Sequence, residues 1–176
     1  MKDAVQLDEL DFALLDAMHA DPKAGVLELS RRIKVARATV QARVRKLEES
    51  GIIAGYEPHI DISAAGFDVQ AFVTLETAQG ALDSVTSELE SIPGVLEAFA
   101  TTGSGDILCR VAAQSHLGLQ QTLIDLNKSS VVARSTSVMV LSVIVPYRSM
   151  PLLRTLDRRG SAKAPAYRAT DQHADR

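Results

Sequence analysis

Two hydrophobic periodicities alternate along the second part of the chain, and this alternation restricts the fold more than any other feature. The segments follow one another as strand, helix, strand, strand, helix and strand, at residues 69–77, 81–92, 95–102, 107–113, 116–127 and 135–145. The tight sequence GSGD, at 103–106, separates the two central strands. This βαββαβ order predicts an antiparallel sheet of four strands with both helices on one face, as in ferredoxin-like folds.

The second face of that sheet has no element of the βαββαβ unit to cover it. The last strand-like segment is apolar along residues 138–145, so it needs cover as well. A second copy of the chain is the natural source, because identical sheets can bury one another's apolar faces. We therefore expect this domain to form oligomers.

The N-terminal third predicts three helices. In 7–20 the apolar residues recur at intervals of three and four, the stripe of an amphipathic helix, at Leu7, Leu10, Leu14, Leu15 and Met18. A second helix fits VLELSRRI at 26–33, and a third fits RATVQARVRKLEES at 37–50. The two residues Val35 and Ala36 separate them, which is the connection length of a helix-turn-helix.

The same spacing predicts which side chains of these helices face inward. They are Leu27, Ile33, Val40, Val44 and Leu47, with Leu29 as a further candidate. Gly51 supplies the C-terminal stop of the third helix. Residues 52–56 then predict a short extended wing, which completes a winged helix-turn-helix.

Charge divides the chain into parts with different partners. Residues 31–46 contain seven basic side chains and no acidic one, whereas residues 57–147 carry three basic and ten acidic side chains. The first segment would attract a phosphate backbone and the second would repel it. Two tasks for two domains is the simplest interpretation.

The third helix has a face suited to DNA. The side chains that can read base edges in the major groove are Arg37, Thr39, Gln41, Arg43 and Arg45. Arg31, Arg32 and Lys46 are placed to meet phosphates. The alternative is a solvated basic helix face, and two features weaken the motif: Lys34 stands where such turns often have glycine, and Ala36 cannot cap the helix as serine or threonine would.

Composition excludes several classes of protein. The chain has 176 residues, and its single cysteine, Cys109, can form neither an internal disulfide nor a cysteine zinc cluster. The longest apolar runs are far shorter than the roughly 20 residues of a membrane-spanning helix, and the start has no apolar signal core. We expect a cytoplasmic protein with no membrane partner. Residues 149–176 are basic without apolar periodicity, which predicts a largely disordered tail.

At the level of whole motifs, the chain resembles the Lrp/AsnC (feast/famine) family of transcription regulators. The resemblance covers residues 7 to about 147 and is carried in order by LDELD, ELSRR, RVRKLEESGII and TTGSGDILCRV. It implies an α+β protein with a winged helix-turn-helix at 1–56, a linker at 57–68 and a ferredoxin-like (RAM/ACT-like) domain for effector binding and oligomerisation at 69–148. It also implies homodimers that assemble further into homo-octamers.

In this family the effector, usually an amino acid, binds near the hairpin between the second and third strands. Carried over, the effector-binding residues are Thr101, Thr102, Gly103, Ser104, Gly105 and Asp106, with Arg134, Ser135 and Thr136 close by. The sequence departs from the commoner GDxD hairpin because Ser104 stands at the first aspartate position and Gly105 at a position often aromatic. Asp106 and Arg134 have the chemistry to hold an ammonium and a carboxylate. The alternative is a simple hairpin in which Asp106 bonds its own turn.

The sequence therefore predicts a DNA-binding transcriptional regulator modulated by a small effector, with no enzymatic activity, cofactor or metal. Two alternatives remain open. One is an enzyme like the haem-precursor decarboxylases that share this architecture, although the scattered His19, His59 and His116 show no catalytic or metal-ligand spacing. The other is an amino-acid sensor whose helical part binds protein instead of DNA, which the acid-free basic segment disfavours.

Overall fold

The structure, a computed structural model, describes residues 6–77, 82–129 and 132–156. In chain order its elements are α1 (Glu9–Ala20), α2 (Val26–Ile33), α3 (Arg37–Glu49), β1 (Val69–Thr77), α4 (Leu82–Glu90), β2 (Val95–Ala100), β3 (Ile107–Ala113), α5 (His116–Lys128), β4 (Val132–Met139) and α6 (Met150–Leu153). They form two compact units: a sheet unit, His59–Pro146, and a helical unit made of the described residues before and after it.

In the helical unit, the three predicted helices form where the sequence placed them. Phe12, Leu14, Leu29, Val40 and Leu47 are buried together in its core. The prediction for Leu27 was wrong, since this side chain is 43% exposed and Leu29 takes the inward position instead. The reason is helical spacing: Val26, Leu29 and Ile33 follow one another at intervals of three and four and share one side of α2, whereas Leu27 lies on another side.

The turn between α2 and α3 is tight. Lys34 adopts the left-handed conformation at φ 56, which costs little for a single residue at a helix end but is normally left to glycine. Val35 then turns its side chain into the core. No strand forms at 52–56, all of which the structure describes, so the predicted extended wing is a segment of bends and irregular backbone.

The sheet unit confirms the predicted βαββαβ topology. Its strands lie in the order β2-β3-β1-β4, and all neighbours are antiparallel. Alternate residues of β1 and β3 form the core with both helices, a cluster that includes Val73, Leu75, Val85, Cys109 and Leu126. Burial raises the pKa of the Cys109 thiol to about 11, as expected of a structural cysteine.

The last strand is shorter than predicted. The sequence extends it to residue 145, but β4 ends at Met139, which pairs with Ala71. Because β4 is an edge strand and β1 begins at Val69, little of β1 remains for the residues after Met139 to pair with. Leu141 and Ile144 in that segment are 97% and 91% exposed.

The first residues of the predicted tail are ordered. Residues 149–176 were expected to lack structure, yet α6 forms in the helical unit, with Met150 buried and Leu153 packed against the same core. Arg154 also forms an ion pair with Asp16 of α1. Two apolar residues at spacing three were too short a pattern to predict this helix. Residues 157–176 lie outside the described residues.

Candidate DNA-binding surface and ligand site

The outer face of α3 presents three of the predicted DNA-reading residues. Arg37, Gln41 and Arg45 are exposed at intervals of four residues, so they lie along one side of the helix. Arg31, in the last turn of α2, is exposed as well. This arrangement leaves long polar side chains free to extend into a groove.

Arg43 and Lys46 have partners inside the helical unit, which the sequence analysis did not foresee. Arg43 bonds the carboxylates of Asp8 and Asp11, and Lys46 Nζ lies 2.8 Å from Asp11 Oδ2. Thr39, four residues before Arg43, is half-buried on the same side of α3. The predicted basic face is therefore split, with one part turned outward and another turned toward α1.

The carboxylates belong to a capping box at the start of α1. Asp8 accepts a hydrogen bond from the backbone of Asp11, and Asp11 accepts one from the backbone of Asp8. Burial raises the pKa of Asp8, but the hydrogen bond from Asp11 and the Arg43 guanidinium lower it by more, and the net pKa is below its usual value. For Arg43 the carboxylates outweigh burial and raise its pKa.

Other contacts fix the surroundings of α3. Arg32 lies 3.2 Å from Asp21, so this predicted phosphate contact already has a partially exposed carboxylate beside it. Tyr56, past the end of α3, donates a 2.7 Å hydrogen bond to Glu48. Burial and the Glu48 carboxylate together raise the pKa of Tyr56 to about 12.

The predicted effector hairpin is braced against the end of β1. Asp106 Oδ2 accepts hydrogen bonds from the backbone N–H and the hydroxyl of Thr77, at 2.6 and 3.1 Å. Thr101 donates its hydroxyl to Gly105 O within the hairpin. A side chain at Gly105 would collide with Thr74, so only glycine fits this close approach. Gly103 has a positive φ of 132, while Thr102 and Ser104 are exposed at the tip.

The other three predicted ligand residues lie across β1 from this hairpin. Arg134, Ser135 and Thr136 pair with Glu76, Leu75 and Thr74. The backbone of Asp106 donates to Leu75 O on the other side of the same strand. The structure thus brings both parts of the predicted site to one end of β1, and Ser135 also donates to Asn127 of α5.

Three residues at these sites were missed by the sequence analysis: Asp11, Thr77 and Asn127. The first had a signal, because the spacing of Asp8 and Asp11 before an apolar run is that of a capping box. The other two act through contacts with strand and helix ends, for which the sequence carried no local pattern.

The described residues offer neither a metal site nor a membrane span. They contain no group of three His, Cys, Asp or Glu side chains able to hold a metal ion. No helix in the described ranges is long and apolar enough to cross a membrane.

These features define the chain as a helix-turn-helix protein with an attached sheet unit of the ligand-binding type. Residues 7–54 match the family model described as winged helix-turn-helix DNA-binding, and residues 70–150 match the Lrp/AsnC ligand binding domain. The regulatory protein AsnC of Escherichia coli is 31% identical over 152 residues, which cover 85% of this chain and 95% of that protein. The regulator FL11 of Pyrococcus horikoshii is 32% identical over 63% of this chain and 74% of its own length.

Solved structures agree with this assignment. Escherichia coli AsnC superposes with a TM-score of 0.78 at 27% identity, covering 84% of this chain and 100% of that one. A transcriptional regulator of Neisseria meningitidis in complex with L-Met superposes with a TM-score of 0.77 at 25% identity, covering 86% of this chain and 100% of that one. The chain belongs to the Lrp/AsnC family and is a DNA-binding transcriptional regulator with a ligand-binding domain.

Proposed function

We propose that α3 reads operator DNA through its outer face and that an amino acid bound beside the hairpin modulates this binding or the assembly of the protein. The observation that carries the proposal is the exposed row of Arg37, Gln41 and Arg45 on a helix that follows a tight turn. No acidic side chain interrupts this row between residues 31 and 46.

The chemistry of the row suits base edges. Arg37 and Arg45 can each fork onto guanine, and Gln41 can pair with adenine. Arg31 and Arg32 are proposed to bind phosphates and fix the register, with Arg32 exchanging Asp21 for a phosphate oxygen. In a dimer, the two copies of α3 would enter successive major grooves of a pseudo-palindromic site.

A gel-shift titration tests the DNA contact. The probes are the DNA upstream of the protein's own gene and a scrambled duplex, each at two salt concentrations. Arg45→Ala should weaken binding to the upstream DNA by about 1 to 3 kcal/mol. Arg148→Ala removes the same charge from an exposed position of the helical unit outside its helices and is the matched control. Equal losses in both variants would contradict base reading by Arg45.

An amino acid effector fits the end of β1. The Arg134 guanidinium and nearby backbone N–H groups can hold a carboxylate, and the second carboxylate oxygen of Asp106 can accept from an ammonium while the first stays bonded to Thr77. Thr102 supplies a hydroxyl group nearby, whereas the Ser135 hydroxyl is directed to Asn127 on the helix face of the sheet. The complex of the Neisseria meningitidis regulator with L-Met supports an amino acid as the ligand class.

Calorimetric titration with a panel of single amino acids, L-Met included, tests the effector. We expect one or a few to bind and to shift the DNA titration. Arg134→Gln should abolish this binding, whereas Arg110→Gln, in the centre of the same sheet, should preserve it. Binding that survives Arg134→Gln would place the ligand elsewhere.

We propose further that the helix-free face of the sheet forms a homodimer, from which octamers assemble. Phe72, Phe99 and Val138 share that face and are at least 40% exposed in the single chain. Phe72→Arg should shift the protein toward monomers in light scattering, while Leu117→Arg, at an exposed position of α5, should not. An unchanged mass for Phe72→Arg would contradict this interface.

We assign no catalytic reaction to the protein, because its chemistry is accounted for by DNA and ligand binding. The cytoplasm is the proposed location, since DNA is the proposed partner and the relatives reported above come from bacteria and an archaeon.

A further inference from the structure

Asp11 is a charged side chain with no exposed surface. Its side chain is 0% exposed, and it is the one charged residue that is buried among those whose burial the structure describes. Both carboxylate oxygens are engaged: Oδ1 with Arg43 at 3.1 Å, and Oδ2 with Lys46 at 2.8 Å and with the backbone of Asp8 at 3.2 Å. A buried carboxylate is tolerated only with such partners, so its geometry restricts theirs.

Both cations come from α3, three residues apart. Two contacts on one side of a helix fix its rotation about its own axis as well as its position along that axis. At 100° per residue, Arg45 points roughly 200° away from Arg43, on the side where Gln41 and Arg37 also lie. The contact with Asp11 therefore sets the direction in which the proposed DNA-reading row faces.

The beginning of α3 is held less firmly. Its N-cap residue, Ala36, makes no side-chain hydrogen bond to the helix. In the preceding turn Lys34 adopts the left-handed conformation, which glycine would adopt at lower cost. The ion pairs to Asp11 come from the middle and the last part of α3, and they supply the orientation that a capped N-terminus would help to provide.

We infer that Asp11 is a positioning residue for DNA recognition and that Arg43 and Lys46 act through it, not as contacts to DNA. The inference rests on the proposed binding of DNA by α3. Asp11 has two effects in this scheme. It orients the exposed row of Arg37, Gln41 and Arg45 toward the groove. It also holds the two cations against carboxylates, which keeps them from binding DNA phosphates without regard to base sequence. Both effects raise the preference for operator over other DNA.

The test compares Asp11→Asn with Glu9→Gln. Each removes one negative charge from the first turn of α1, but Glu9 is exposed and forms no ion pair with the described residues. Binding to the upstream duplex and to its scrambled version is measured by fluorescence anisotropy over a range of salt concentrations. Circular dichroism establishes that each variant is folded at the temperature used.

For Asp11→Asn we expect opposite changes on the two duplexes. The scrambled duplex should bind more tightly, with a salt slope steeper by about one, because Lys46 loses its carboxylate partner and can meet a phosphate while Arg43 keeps its ion pair with Asp8. The ratio of upstream to scrambled affinity should fall about tenfold, the scale of one lost base contact. For Glu9→Gln this ratio should not change. A folded Asp11→Asn with an unchanged ratio would overturn the inference and leave Asp11 a residue of stability alone.

Lys46→Met decides the question if Asp11→Asn does not fold. This variant keeps Asp11 paired with Arg43 and removes one cation. A positioning role predicts a lower affinity ratio with an unchanged salt slope. A phosphate contact predicts equal weakening on both duplexes and a slope smaller by about one, which would overturn the inference. Wild-type protein that binds neither duplex would contradict the proposed function instead, so the two failures are distinguishable.

Discussion

The helical unit and the sheet unit are stabilised in different ways. The sheet unit buries an apolar cluster between two helices and alternate residues of β1 and β3, with the Cys109 thiol as the single sulfur in it. The helical unit packs α1, α2, α3 and α6 around an apolar cluster of its own and adds a buried carboxylate, Asp11, with two cations around it. A buried carboxylate is costly unless it is paired, so the ion pairs of Asp11 are a condition of its burial in the helical unit. The unit proposed to bind a polyanion thus depends on its own charges for orientation.

The largest expected losses of stability come from truncating a buried leucine in the core of either unit. Leu47→Ala in α3 and Leu126→Ala in α5 both remove fully buried side chains and should each cost about 2 to 5 kcal/mol. If the units fold separately, each substitution should lower amide protection in its own unit only. Hydrogen exchange of both variants measures this, with Leu117→Ala as an exposed control. Equal loss of protection in both units would mean one cooperative domain, and the contrast between the units would disappear.

A second prediction separates the two arginines of α3. Arg43→Ala removes a partner from a buried carboxylate and should destabilise the helical unit by about 1 to 3 kcal/mol. Arg45→Ala should change stability by less than about 0.5 kcal/mol, because its side chain is exposed. Urea unfolding of the two variants side by side is the measurement. A larger loss for Arg45→Ala would contradict the division of α3 into an anchored and a free face.

The third prediction concerns the contribution of a side-chain hydrogen bond to the stability of the sheet unit. Asp106→Ala leaves the N–H of Thr77 without its acceptor and should cost about 1 kcal/mol. Asp106→Asn keeps an oxygen that can accept from Thr77 and should recover much of this loss. Thermal unfolding of both variants measures the difference. Identical melting temperatures for the two variants would show that the brace between hairpin and β1 contributes nothing, which would also leave Asp106 free for a ligand.

Much of the fold was predictable because it depends on local periodicity. The bounds of α2 agree with the predicted 26–33, and the predicted strand 69–77 is β1. Where prediction failed, the deciding partner was distant in sequence. The length of β4 depends on where β1 begins, and α6 forms because the core of the helical unit accepts Met150. The local sequence of β4 or of α6 therefore could not predict either feature.

The candidate sites show the same contrast between local features, which the sequence predicts, and contacts distant in sequence, which it does not. Residue types and spacing predicted the exposed row of α3 and the hairpin at 101–106, because a helix face and a tight turn are local features. They did not predict that Arg43 turns toward Asp11, 32 residues earlier in the chain. A basic side chain on a helix looks the same in sequence whether it meets a phosphate or a carboxylate, so the difference emerges only from packing.

The smallest predicted effect is a difference in acid sensitivity. The folded pKa of Asp8 lies below its usual value of 3.8, so the stability it contributes is present above that pH and is lost as the pH falls through the lower, folded value. Signals of α1 and α3 in nuclear magnetic resonance spectra should therefore weaken below about pH 4 before those of β1 and β3. Asp8→Asn cannot titrate and should remove this early loss. In the sheet unit the pKa of Asp125 is also lowered, by Lys128, but that pair is exposed and added salt should screen it. An early loss that persists in Asp8→Asn would show that the acid sensitivity of the helical unit does not come from its capping-box charges.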